Sequence, residues 1–147
     1  MFFDELQVGE VFTSPSKTLT EAHYLLFSGV TGDSHPIHYD VEYARKTRFG
    51  KPVAHGLLLA SMTALGASSV AHRLGGFILI EQGCRFLKPA IVGDTIYPRH
   101  TVEKLWREGR RGFARFTTTI ANHRGETLLE GFHVYQVDFR SGQKEDP

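Results

Sequence analysis

The sequence predicts an α+β domain in which a curved antiparallel sheet wraps one long enclosed helix, and three observations carry that prediction. First, the C-terminal half alternates with period two: Ile78, Ile80, Cys84 and Phe86; Ile96, His100 and Val102; Ala114, Phe116, Thr118 and Ile120; His133, Tyr135, Val137 and Phe139. That period marks strands with one face buried. Second, the stretch from Gly56 to about Arg73 mixes large residues (Leu57, Leu58, Leu59, Met62, Leu65, Val70) with small ones and carries no charge in its interior. A helix without a charged face must be enclosed. Third, the breaks at Glu108 to Gly112 and at Asn122 to Glu126 are short, as hairpins require.

The elements follow in chain order. A Gly9-centred turn precedes a short strand from Glu10 to Thr13, extending towards Leu19. Thr20 is placed to cap a helix from Glu21 to about Ser28, and Gly29 to end it. Asp40 caps a second short helix through Val41 to Arg45. Gly50 and Pro52 fix a loop ahead of the enclosed helix, which Gly75 and Gly76 terminate. Pro98 falls inside the strand from Thr95 to Trp106, which predicts an edge or a bulge there. A sheet of this kind covers its helix on one side only, so a second copy or another surface must cover the other, which argues for a dimer.

The bulk properties narrow the classes. A chain of 147 residues fits one domain with a real core, here 1–140 followed by a polar tail at 141–147. A net charge of +1 gives no drive towards nucleic acid. Cys84 is the one cysteine, so no intrachain disulfide forms and a reducing, cytoplasmic setting is expected. The N-terminus lacks the pattern of a signal peptide, and the apolar segment from Gly56 is interrupted by serines and Gly66 and ends in His72-Arg73, unlike a membrane span.

The chemistry gathers between Thr31 and Ser61. Thr31-Gly32-Asp33-Ser34-His35-Pro36-Ile37-His38 sets a carboxylate and two imidazoles on a loop stiffened by Pro36. Asp33 and His38 on one stiff loop reach one water, remove a proton from it and deliver a proton to carbon. Gly56, in the first turn of the enclosed helix, offers a free N–H to negative charge on an acyl oxygen. Base, acid and oxyanion donor together describe addition or elimination next to a carbonyl. No serine sits on a nucleophile elbow, and Cys84 lies in a predicted strand.

These residues carry a family resemblance. Phe27 to Asp40, with Phe49-Gly50-Lys51-Pro52-Val53-Ala54-His55-Gly56 and the run to Ser61, resembles the MaoC-like dehydratases, the (R)-specific enoyl-CoA hydratases. The family motif Asp-x-Asn-Pro-x-His matches at Asp33, Pro36 and His38 and departs at His35, where Asn is usual; the His-Gly pair matches at His55-Gly56. The resemblance implies a hot-dog fold, a dimer or higher homo-oligomer, and reversible syn hydration of trans-2-enoyl-CoA to (R)-3-hydroxyacyl-CoA. It implies that Asp33 and His38 activate the water and supply the α-proton while the Gly56 amide binds the thioester oxygen. It calls for no metal and no redox cofactor, coenzyme A being part of the substrate. The family's supporting helix serine aligns with Ala64, leaving Ser61 or Thr63 as the nearest hydroxyls.

Other readings stand beside this one. A hot-dog thioesterase uses the same acyl site with water attacking the thioester carbon, and a non-catalytic acyl-CoA-binding subunit keeps the fold without turnover. His55 is expected to hold the loop beside the substrate, and Arg85 and Lys88, just ahead of Pro89, are candidates for coenzyme A phosphates. A metal on Asp33, His35 and His38 lacks a familiar ligand spacing. His72, His100, His123 and His133 read as ordinary surface or strand positions, and Arg107 to Arg111 as a charged hairpin tip.

Overall fold

The computed structural model describes residues 1–140; the polar tail at 141–147 lies outside them. Strands β1 (Val11–Thr13), β2 (Lys17–Thr18), β3 (Phe77–Phe86), β4 (Thr95–Glu108), β5 (Arg111–Asn122) and β6 (Thr127–Val137) form one antiparallel sheet. Its order is β1-β4-β5-β6-β3, with β2 continuing the β1 edge along β4. The four long strands are those the period-two pattern predicts. Helices α1 (Glu21–Thr31), α2 (Val41–Arg45) and α3 (Gly56–Ser61) lie in the stretch before β3.

Three local expectations change. Helix α1 passes Gly29 and ends at Gly32, whose φ of 77° places it in the left-handed region that glycine tolerates. At its start the cap is inverted: Thr20 N–H donates to His23 Nδ1 at 3.0 Å. Asp40 caps α2 as expected, accepting from Tyr43 N–H at 2.9 Å. In β4 the bulge falls at Glu103, between the pairs Val102–Phe116 and Lys104–Arg115, and not at Pro98. Pro98 is tolerated because the missing N–H faces the break between β1 and β2, where its carbonyl accepts from Ser14 N–H at 3.2 Å.

The largest difference is the enclosed helix. It is six residues long, Gly56–Ser61, and is followed by 3-10 turns at Leu65–Ala67 and Ala71–Arg73 in place of one helix to Arg73. Side-chain hydroxyls compete for its carbonyls: Ser61 Oγ donates to Leu58 O at 2.7 Å and Thr63 Oγ1 to Ala60 O at 2.6 Å. Thr63 Oγ1 is also 3.0 Å from His133 Nε2, and His133 Nδ1 is 3.2 Å from the Tyr135 hydroxyl, which takes a hydrogen bond from Leu65 N–H. With the Thr63 hydrogen committed to Ala60, His133 must carry its proton on Nε2 and accept from Tyr135 on Nδ1. One chain of hydrogen bonds thus satisfies an amide and a carbonyl on either side of the helix break.

That chain belongs to a buried polar belt: Thr63, His100, Thr118 and His133 are all almost fully enclosed. On one side Leu58 and Leu59 of α3 pack with Leu19, Tyr24, Ile96, Ile120, Leu128 and Leu129. On the other, Leu65, Phe12, Val102, Phe116 and Tyr135 pack with Met1, Phe3 and Leu6. His100 and His133 thus occupy strand positions, as expected, on the inward faces that the alternation marks. The N-terminal seal has a sequence counterpart far away: a Cβ at Gly112 would lie 2.5 Å from the Phe3 ring, so only glycine leaves room for it.

Candidate active site

The Asp33–His38 loop is built by local hydrogen bonds. Thr31 Oγ1 accepts from Asp33 N–H at 3.2 Å, and an Asp33 carboxylate oxygen accepts from His35 N–H at 3.4 Å. His35 caps the turn Pro36–His38, its Nδ1 accepting from Ile37 N–H at 3.2 Å. An imidazole nitrogen here fills the capping place that an asparagine oxygen suits, so the departure from the motif leaves the loop's capping intact.

His55 and Val53 tie this loop to the next. His55 is 2% exposed, and its Nε2 lies 3.0 Å from the Asp33 carbonyl and 3.1 Å from Ser28 Oγ. A carbonyl only accepts, so His55 donates from Nε2 and holds Asp33 by its backbone. The rings of Tyr24 and Phe27 pack around it. His38 Nδ1 is 2.7 Å from Val53 O. The same reasoning puts the His38 proton on Nδ1 and leaves Nε2 as a free lone pair. Burial, more than any other influence, holds the His38 imidazole below its ordinary pKa, with His55 and His35 adding to the effect and Val53 and Asp33 opposing it. The shift favours the neutral imidazole, whose Nε2 lone pair can accept a hydrogen bond.

Asp33, His38 and His55 bring a carboxylate oxygen and ring nitrogens within 4.8 Å of one another. The His38 and His55 rings stack at 3.7 Å and 20°, so their in-plane lone pairs run side by side. What the pair Asp33 and His38 offers is two proton acceptors. A water donating about 2.8 Å to each spans roughly 4.5 Å, which the separation here allows. Gly56 follows His55 directly as the first residue of α3, where an N–H has no intrahelical acceptor. A Cβ at Gly56 would lie 3.3 Å from the Phe86 ring, so glycine lets that ring approach the helix start.

The remaining sequence candidates fall elsewhere. Ser61 and Thr63 spend their hydroxyls on carbonyls of their own turn, and among the described residues neither is hydrogen-bonded to Asp33. Lys88 lies with Arg48 and Arg124 in a pocket beside the second loop. Arg85 lies with Glu103, Arg115, Glu130 and Phe132 in a groove on the sheet, away from the loops. Sequence reasoning missed Ser28 as a partner of His55, although it stands inside the matched stretch. It also missed Val53, whose carbonyl no side-chain motif reports.

A sheet wrapped on a short central helix, with a carboxylate and an imidazole on a loop at the helix start, defines a hot-dog domain with a candidate site at that loop. The chain belongs to the MaoC-like domain family, whose model matches residues 5–123. The (R)-specific enoyl-CoA hydratase of Rhodospirillum rubrum is 32% identical over 141 residues, covering 95% of this chain and 93% of that protein. The solved (R)-hydratase of Aeromonas caviae, involved in PHA biosynthesis, matches with a TM-score of 0.81 and 30% identity over 90% of this chain and 98% of that one. A Mycobacterium tuberculosis protein with a double hot-dog fold matches with a TM-score of 0.80 and 25% identity, covering 99% of this chain and 46% of that one.

Proposed function

We propose that this chain is a hydro-lyase that adds water reversibly to trans-2-enoyl-CoA, giving (R)-3-hydroxyacyl-CoA. The observation that carries the reading is the pair of acceptors: the Asp33 carboxylate and the His38 Nε2 lone pair, the latter fixed by the Nδ1 bond to Val53 O. Two acceptors take both hydrogens of one water and turn its lone pair towards the substrate. As the oxygen adds to C3, a proton passes to the pair, and charge developing on the thioester oxygen is met by Gly56 N–H. A proton returned from the pair to C2 on the same face completes syn addition and restores the site. The reaction needs no metal and no redox cofactor on this reading, because the proton moves between groups the chain supplies. The 32% identity with an (R)-specific enoyl-CoA hydratase supports the same substrate class.

The test is the conjugated enoyl-thioester absorbance of crotonyl-CoA, then octenoyl-CoA, with free thiol followed in parallel. Absorbance falling without thiol release is expected. Thiol release would put the thioesterase in first place, and silence on both would leave an unusual acyl group or a binding role.

The functional unit on this reading is a homodimer. Among the described residues strand β3 pairs only with β6, and its other edge is open across ten residues. Ile78, Leu79 and Ile80 on it are about half exposed, and Leu57 on α3 is 71% exposed. An apolar open edge of this length is covered in a stable protein, and a second β3 meets it symmetrically. Light scattering on the eluted protein should give twice the chain mass, and Ile78→Lys should lower it; a monomer for the wild type would rule the dimer out. Among the described residues no helix is long and apolar enough to cross a membrane. Cytoplasmic residence rests on the lone thiol of Cys84.

A further inference from the structure

We propose that a second pocket, beside the catalytic loop, receives the adenosine 3′-phosphate end of the coenzyme, with Arg48 as its phosphate ligand; this rests on the acyl-CoA reading above. The pocket has a volume of about 270 Å³. Phe49, Pro89, Ile91 and Leu128 give it an apolar wall, and Arg48, Lys88 and Arg124 set three cations against the one carboxylate of Glu126. A space lined by apolar side chains and three cations suits a purine ring joined to a phosphate. The volume has room for one ring system and its phosphate, not for the whole coenzyme.

The charges are unequally engaged. Lys88 and Arg124 both pair with Glu126, and Arg124 pairs also with the buried Asp94 at 2.7 Å. Lys88 foremost, with Asn122 and Arg124, pulls the Glu126 carboxyl down to about 2, so it stays ionised and keeps those cations in place. Arg48 has no carboxylate partner among the described residues; its guanidinium lies 4.8 Å over the Phe49 ring. It is the cation left to meet an incoming anion, and Lys88 stands beside it as a held charge.

The pocket is anchored to the same short bridge as the catalytic histidine. Val53 pairs with Ile91, and Ala54 N–H donates to Ala90 O at 2.8 Å. Val53 O holds His38, while Pro89 and Ile91 line the pocket. One rigid bridge therefore fixes the position of the nucleotide end relative to the water-holding pair, and the flexible pantetheine arm connects the two. Arg85, in its separate groove, takes no part.

The experiment compares crotonyl-CoA with crotonyl-pantetheine, which keeps the thioester and lacks the nucleotide. Arg48→Ala should raise KM for crotonyl-CoA about tenfold with kcat unchanged, leave crotonyl-pantetheine as in the wild type, and be partly rescued by Arg48→Lys. Calorimetry with adenosine 3′,5′-bisphosphate should show binding to the wild type that Arg48→Glu abolishes. Equal effects on both thioesters, or no binding of the bisphosphate, would overturn the proposal. So would an Arg48→Ala loss confined to an acyl-carrier-protein thioester, which would make the patch a protein-docking surface. If neither thioester is hydrated, the lyase reading fails by itself. The calorimetry still decides the pocket: binding lost in Arg48→Glu supports it and no binding removes it.

Discussion

Asp33→Asn is expected to fold and assemble as the wild type does while losing about three orders of magnitude in kcat for enoyl-CoA hydration. The folding half of this expectation comes from the geometry. Asp33 is exposed, and among the described residues its carboxylate has one hydrogen bond, accepted from His35 N–H, which an asparagine oxygen accepts equally well. Its backbone carbonyl, held by His55 Nε2, does not change. The chemical half follows from basicity, because the amide keeps the shape and cannot take the proton from water. The measurement is single-substrate kinetics on crotonyl-CoA beside a circular-dichroism melt. Turnover within tenfold of the wild type, with the melt unchanged, would take Asp33 out of the mechanism.

The second large effect is on stability. Burial, with His133 adding to it, pushes the His100 imidazole down to about 4, and burial lowers His133 in the same direction. In the unfolded chain a histidine titrates near 6.5. Above that pH both states are neutral and His100 contributes no pH dependence. Below it the unfolded chain takes up a proton that the folded chain refuses, so stability falls from about pH 6.5 down to the folded value. Over that window His100 alone removes roughly 3 kcal/mol. The check is urea unfolding at pH 7 and pH 4.5 for the wild type and His100→Gln. The difference between the two slopes isolates His100 from the carboxylates that titrate in the same range. An identical loss in both proteins would mean that His100 titrates alike folded and unfolded.

The strands and the loop were legible in the sequence, the interior much less so. Period two located β3 to β6, because one buried face writes itself into every second residue. Asp33, His38 and Gly56 were legible because Pro36 and the glycines confine them to short loops. The helix was overextended because an uncharged run from Gly56 to Arg73 reports enclosure and says nothing of backbone angles. At the break Ser61 and Thr63 turn their hydroxyls on helix carbonyls, and Thr63 is held by His133, seventy residues later. Phe3 and Gly112 were missed for the same reason, since neither means anything until the fold brings them together. His100 and His133 were placed on inward faces by the alternation. A histidine letter, however, does not say whether its partner is water or a threonine.

The polar belt has a consequence for how such a protein changes over time. Because Thr63, His100, Thr118 and His133 lie between the two apolar clusters, the interior is partitioned into compartments with separate neighbours. Leu58, Leu59 and Tyr24 share their compartment with the residues beneath the catalytic loop, whereas Phe3, Phe116 and Val137 seal the far end. Side-chain volume can be traded in the first compartment, beneath the site loops, while the seal in the second keeps its packing. The fold thereby separates the part that can drift towards new substrates from the part that keeps the chain folded.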